Sequence, residues 1–287
     1  MRLGNVAGRA ALLGDPAEAP VSVDLHDASG GRFGPEVQSC YENWDALRAW
    51  HAGAELSPGR PISPDELGPP VPAPRQVFAV GLNYRDHATE SGFTAPDTPL
   101  VFTKFPSCVT GPVGAVELPS DTVDWEVELV AVVGRRAHRV AERDGWQHVA
   151  GLTAGQDLSD RGVQLAGDPP QFSLGKSFPG FAPIGPAVVT ADEFADPDDL
   201  TLGCDLGGDP VQRGRTRDLV FGIPALIAAL SRILPLLPGD LLFTGTPAGV
   251  GMGRTPPRYL RPGETLRTFV DGVGELRQTF TAPDTRR

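Results

Sequence analysis

Glu126 and Glu128 stand two residues apart in Asp124-Trp-Glu-Val-Glu-Leu129, just before the apolar run Val130 to Val133. In a strand, residues two apart project from one face. Two carboxylates side by side repel unless a proton or a cation lies between them, so the pair calls for a metal ion or strongly displaced pKa values. The competing account is a solvated strand face, where paired glutamates are common. A small-residue strand, Val149 to Gln156, then runs into the polar cluster Gln156-Asp-Leu-Ser-Asp-Arg161. Alone, Asp157 would do no more than cap a turn. With the two glutamates it completes an all-oxygen set suited to a hard cation such as Mg²⁺.

Upstream, Val77-Phe-Ala-Val-Gly-Leu-Asn-Tyr84-Arg-Asp-His87-Ala-Thr-Glu90 reads as a strand, a Gly turn and a short helix. His87 and Glu90, three apart, share a helix face and form either a base with its orienting carboxylate or a surface pair. The chain holds 23 Arg but only two Lys, Lys104 and Lys176. Where Lys survives such a bias, a compact three-donor ammonium is either specifically required or retained by chance on a solvated face. The loop Thr244-Gly-Thr-Pro-Ala-Gly-Val-Gly251 is glycine-rich. It lacks the Gly-Lys-Ser/Thr ending of a phosphate loop, and Pro256-Pro257 occupy the place of a Rossmann helix start, so neither nucleotide motif is present.

These residues need a scaffold, and 287 residues with 40% hydrophobic content suffice to bury a core. A formal charge of −11 disfavours nucleic acid and anionic lipid as partners. Cys40, Cys108 and Cys204 lack metal-ligand spacing and suggest no disulfide framework, which fits a reducing, cytoplasmic setting. No stretch reads as a signal peptide or a membrane span.

The pattern divides the chain into a small α/β domain over 1–56, a linker over 57–74 carrying seven prolines, and a β-rich domain over 75–287. Short Val/Leu-rich runs predict strands at 77–80, 100–103, 128–133, 187–190, 241–244 and 266–270. Gly208-Asp-Pro210 suggests a tight turn, and Asp271-Gly272 a hairpin. Pro224 suits the first turn of a helix whose Ile223, Leu226, Ile227, Leu230 and Ile233 are expected in the core.

Six ordered segments resemble the fumarylacetoacetate hydrolase superfamily: Val80-Gly-Leu-Asn-Tyr-Arg-Asp-His87, Phe102-Thr-Lys104, Trp125-Glu-Val-Glu-Leu129, Gln156 to Arg161, Gly175-Lys-Ser-Phe178 and Thr244 to Gly251. The resemblance runs from about Gln76 to Phe280. It implies a mainly β, mixed α+β fold, a rolled β-sandwich with a small N-terminal α/β domain, assembled as a homodimer. It makes Glu126, Glu128 and Asp157 ligands of Mg²⁺ or Mn²⁺, His87 and Glu90 a water-activating pair on a lid, and Lys176 the positive group beside the substrate. Tyr84, Lys104, Arg161, Gln164 and Thr246 match substrate-side positions.

The activity so implied is hydrolysis of a carbon–carbon bond in a small 2,4-dioxo acid or related β-keto acid. Decarboxylation or keto–enol isomerisation of an oxo-acid are the alternatives within the superfamily, and a weakened ligand-binding protein is the alternative outside enzymology. Gln156 replaces the usual Asn, Asp160 and Gly162 flank Arg161 where Ala and Asp are usual, and Pro179-Gly180 follow Lys-Ser-Phe. These departures bear on the hydrogen bonds around the ligands and on substrate shape rather than on metal binding.

Overall fold

The structure, a computed structural model, describes residues 1–15, 20–90, 92, 94 and 96–283. The run that carries Glu128 folds as the strand Val127–Val133, buried along its whole length. It pairs antiparallel with Val149–Gln156 on one side and Leu241–Phe243 on the other. A strand covered on both faces has no reason to alternate polar and apolar residues, which is why the sequence here is a continuous Val/Leu/Ala run.

Outward from Leu241–Phe243 the sheet adds Val77–Gly81 in parallel and then Leu100–Thr103 at the edge. In the other direction it adds Ala182–Val189, Arg2–Val6, Arg9–Leu13, Val21–Asp24 and Arg60–Pro61. The N-terminal strands and the strands bearing the carboxylates thus belong to one twelve-stranded sheet. A five-stranded sheet, ordered Asp209–Arg215, Thr201–Leu206, Thr265–Val270, Gly274–Thr281 and Val113–Glu117, shares the same hydrophobic core. The fold is mainly β with short helices, in the rolled sandwich expected from the sequence.

The proline-rich stretch lies along the sheet. Arg60–Pro61 and Leu67–Gly68 pair with Val21–Asp24 and Arg2–Val6, and the Tyr41 hydroxyl donates to the Pro70 carbonyl at 2.8 Å. Pro61 is tolerated there because an edge strand needs no N–H partner on its outer side.

Two local expectations are corrected. The turn sits at Gly207-Gly208, whose φ values of 61° and 96° suit glycine, and Asp209 and Pro210 already belong to the following strand. Ile233 is 82% exposed because the helix Ile223–Ser231 ends before it, so the apolar periodicity outlasts the element. The other four apolar residues of that helix are buried as expected.

Candidate metal centre and active site

Two pairings bring the distant carboxylates together. Val127 lies opposite Gln156 in the large sheet, and Asp124 lies opposite Ser159 in a separate two-stranded pair. Glu126 and Asp157, between these registers, are held face to face, and the Asp157 N–H donates to the Glu126 carbonyl at 2.9 Å. One ligand atom from each of Glu126, Glu128 and Asp157 lies within 4.8 Å of the other two, and all three side chains are buried. Among the described residues this is the one such cluster of metal-ligating side chains. Three converging oxygen donors in a buried site fit a divalent cation, which would offset the repulsion among them.

Burial first, and then the charges of Asp157 and Glu126, push the Glu128 carboxyl well above the usual carboxylate range. Burial also acts to raise Glu126, but Lys176, Arg161 and His87 outweigh it and bring that carboxyl down to about 2. One member of the pair is therefore poised to hold a proton that an arriving cation must displace. Glu128 also accepts the Gly245 N–H at 2.7 Å, which ties the glycine-rich loop to the triad.

Both lysines are buried in this cluster. Lys176 Nζ donates to Glu126 Oε2, Asp157 Oδ2 and Ser159 Oγ at 2.8, 2.7 and 2.7 Å, so its three donors are all engaged. Lys104 Nζ reaches Asp157 Oδ1 at 2.5 Å and the Lys176 carbonyl. Lys104 thus braces Asp157. Arg161 grips Asp124 Oδ2 through Nε and Nη2 at 2.9 and 2.7 Å, while its Nη1 lies 2.7 Å from Glu126 Oε1 and 2.8 Å from Gln164 Oε1.

A cavity of about 320 Å³ opens at Glu126 and Glu128, lined also by His87, Arg161, Gln164, Lys176 and Thr246 and by the apolar Leu100, Phe102, Leu165, Phe172 and Met252. A larger cavity of about 720 Å³, between Arg2, Ile62 and Arg277, has no such ligand cluster among the described residues. His87 lies on the helix Arg85–Glu90, with Nδ1 3.5 Å from Glu90 Oε2, longer than a well-formed hydrogen bond. Burial raises Glu90, but His87 and the Gly249 N–H outweigh it and keep its carboxyl below the usual range. The carboxylate favours the tautomer with the proton on Nδ1, leaving Nε2 as the basic atom. Tyr84 is buried outside the cavity lining, with a hydroxyl that has no hydrogen-bond partner among the described residues.

Residues 76–281 match the family model described as Fumarylacetoacetate (FAA) hydrolase C-terminal. The chain belongs to the fumarylacetoacetate hydrolase family. It is 42% identical over 209 residues to human "Oxaloacetate tautomerase FAHD2A, mitochondrial", which spans 72% of this chain and 67% of the relative. Its fold is similar to a candidate HpcE protein from Mycobacterium smegmatis, with 53% identity, a TM-score of 0.93 and coverage of 99% of this chain and 100% of that one. It is also similar to a fumarylpyruvate hydrolase from Pseudomonas aeruginosa in complex with Mn²⁺ and pyruvate, with 31% identity, a TM-score of 0.67 and coverage of 73% and 91%. The chain is accordingly an enzyme of a family that holds both hydrolases and a tautomerase. Among its described residues no helix is long and apolar enough to cross a membrane.

Three further side chains frame the centre of this family member, and two of them, Asp124 and Gln212, escape a reading of the sequence. Asp124 accepts from Arg161 and from the backbone N–H groups of Trp125, Gly251 and Met252. Gln156 accepts the Glu126 N–H and donates to Thr268, each at 2.9 Å. Gln212 accepts the Val127 N–H and donates to Thr246 Oγ1 at 2.8 Å. Asp124 stood beside the Glu-x-Glu pattern, but a single acid next to Trp carries no spacing signal. Gln212 lies on another sheet, and no local pattern links it to residue 127.

Proposed function

We propose that this enzyme interconverts the keto and enol forms of a small 2-oxo acid, with Glu126, Glu128 and Asp157 holding Mg²⁺ or Mn²⁺. The observation that carries this reading is the position of His87 in the same cavity as the buried carboxylate triad. A divalent cation there would supply Lewis acidity toward the carboxylate and 2-oxo oxygens of such an acid. His87 Nε2 takes the proton from the carbon beside the 2-oxo group, the C–H electron pair becomes the C=C bond, and the oxo oxygen gains a proton from solvent. In the reverse direction His87 returns the proton to carbon. Lys176, held by three oxygens, fixes Glu126 and Asp157 in place and adds positive charge near the oxygen that becomes an enol.

The 42% identity to an oxaloacetate tautomerase supports this reaction over the 31% identity to a fumarylpyruvate hydrolase, and the complex of the latter with Mn²⁺ and pyruvate supports the 2-oxo acid class. A second reading is carbon–carbon bond hydrolysis of a 2,4-dioxo acid, favoured by the His87–Glu90 contact, since a carboxylate-oriented histidine suits proton removal from water. Product analysis separates the two. The protein loaded with Mg²⁺ or Mn²⁺ should speed loss of the enol absorbance of oxaloacetate or phenylpyruvate without releasing fragments or CO₂, and EDTA should abolish the effect. Cleavage of acylpyruvates or release of CO₂, with no acceleration of tautomerisation, would overturn the proposal, as would tight binding of 2-oxo acids with no turnover.

A further inference from the structure

We propose that Gln212 is a positioning residue that fixes the Thr246 hydroxyl as a hydrogen-bond donor kept for an oxygen of the bound acid. The inference rests on the reading above for the class of ligand, a 2-oxo acid, and adds a residue from the second sheet to the machinery that binds it.

Gln212 is buried on the strand Asp209–Arg215 of the five-stranded sheet. Its amide has two acceptor positions and two donor hydrogens, and all four are engaged. Oε1 accepts the Val127 N–H at 2.9 Å and the Cys204 thiol at 3.4 Å. Nε2 donates to the Pro247 carbonyl at 2.7 Å and to Thr246 Oγ1 at 2.8 Å. A backbone N–H only donates and a carbonyl only accepts. The Val127 and Pro247 contacts therefore fix which end of the amide is which, independently of Thr246, and Thr246 is left to accept.

A hydroxyl that accepts from an amide keeps its single proton to give. Among the described residues Thr246 Oγ1 has no other hydrogen bond, so nothing in the protein takes that proton. Thr246 is buried and lines the same cavity as Glu126, Glu128 and His87. A buried donor left without an acceptor is costly, and a ligand that brings an oxygen to it recovers that loss. A carboxylate or oxo oxygen of a 2-oxo acid is such an acceptor. The same amide holds the Val127 N–H, between Glu126 and Glu128 in the chain, so one side chain ties the strand bearing two candidate ligands to a donor for the acid.

A double-mutant cycle on pyruvate affinity, read by calorimetry at saturating Mn²⁺, tests this. Gln212→Glu keeps the length and the acceptor for Val127, but its carboxylate has no hydrogen to give, so the Thr246 proton turns to it and lone pairs face the ligand. Pyruvate affinity should fall about tenfold or more, the common worth of a hydrogen bond to a charged group. With oxaloacetate, KM should rise by a larger factor than kcat changes. In a Thr246→Val background, with no hydroxyl to orient, the same exchange should alter pyruvate affinity less than about twofold. Equal losses in the two backgrounds would mean that Gln212 acts through the scaffold alone and would overturn the proposal, as would Thr246→Val binding pyruvate as tightly as the unchanged protein. If thermal melts show that Gln212→Glu does not fold, Gln212→Met runs the same cycle with the same expected coupling to Thr246. Pyruvate affinity is read without turnover, so an intact coupling in a protein that fails to speed tautomerisation sinks the keto–enol reading and leaves the Gln212 assignment standing. Absence of pyruvate binding by the unchanged, Mn²⁺-loaded protein overturns both.

Discussion

Lys104 Nζ lies 2.5 Å from Asp157 Oδ1, and neither side chain has exposed surface. One of only two lysines in the chain is therefore a fully buried counterion to Asp157. Lys104→Met keeps the stem and removes the charge. Breaking a buried ion pair leaves its partner uncompensated and costs about 3 kcal/mol. Denaturant unfolding of the metal-free variant should show a loss of that order, and titration with Mn²⁺ should show weaker binding. An unchanged unfolding midpoint would show that the pair carries no stability.

Glu128 sets how the centre responds to pH. Its carboxyl is held well above the ordinary value of 4.5 by burial and then by Asp157 and Glu126, so the metal-free folded protein keeps a proton that the unfolded chain has released. That group therefore lowers metal-free stability as pH rises from 4.5 through its raised folded value. Glu126, brought down to about 2, contributes the opposite sign, with stability present above 4.5 and lost as pH falls toward 2. Metal binding needs the Glu128 carboxylate and must expel its proton. Calorimetric titrations with Mg²⁺ in buffers of different ionisation enthalpy should report release of about one proton, with affinity falling as pH is lowered. Proton-independent binding would contradict a protonated Glu128.

His87→Gln should lower turnover by about 10²-fold, the common worth of a general base. Mn²⁺ affinity should stay near that of the unchanged protein, because His87 is not among the three ligands. Retained turnover would remove His87 from proton transfer, whereas joint loss of metal binding would point to a structural role.

The parts of this centre legible in the sequence are those written in a local period. Glu126 and Glu128 betray themselves by strand spacing, His87 and Glu90 by helix spacing, and the lysines by their scarcity. The Val127–Val133 strand was readable because burial on both faces leaves a continuous apolar run. What stayed hidden depends on long-range register. The bond from the Val127 N–H to Gln212 spans 85 positions, and Asp124 draws together Arg161 at the start of a short helix and residues 251 and 252 of the glycine-rich loop. Helix termination was hidden too, since Ile233 continues the hydrophobic period after the backbone has left the helix.

Asp124 is the clearest test of that hidden layer. Its Oδ2 takes two donors from Arg161 and its Oδ1 takes the Gly251 N–H at 2.7 Å, all in a fully buried position. Asp124→Ala would leave a buried guanidinium short of its main partner and is expected to destabilise by roughly 3 kcal/mol or more. Asp124→Asn keeps the shape and an acceptor, so it should fold with a smaller loss but a higher KM, as Arg161 and the loop to Met252 relax. A KM unchanged in the Asn variant would confine Asp124 to a stability role.

Gly251 then tests whether the loop is as tightly drawn as Asp124 implies. A methyl group built on Gly251 would lie 2.7 Å from Asp124 Oδ1 and 1.8 Å from the Arg258 carbonyl oxygen, a backbone atom that no side-chain rotation moves. Gly251→Ala must therefore push the loop outward, break the N–H bond to Asp124 and displace Met252 and Thr246, which line the cavity. Overpacking of this kind costs about 1–3 kcal/mol, and it should raise KM more than it weakens Mn²⁺ binding, because no ligand lies on the loop. Gly114 is the matched control, since a methyl group there meets nothing within 4 Å. Thermal melts and KM values for Gly251→Ala and Gly114→Ala measured side by side decide the point: if the two variants behave alike, the close approach of the loop to Arg258 does not constrain the site.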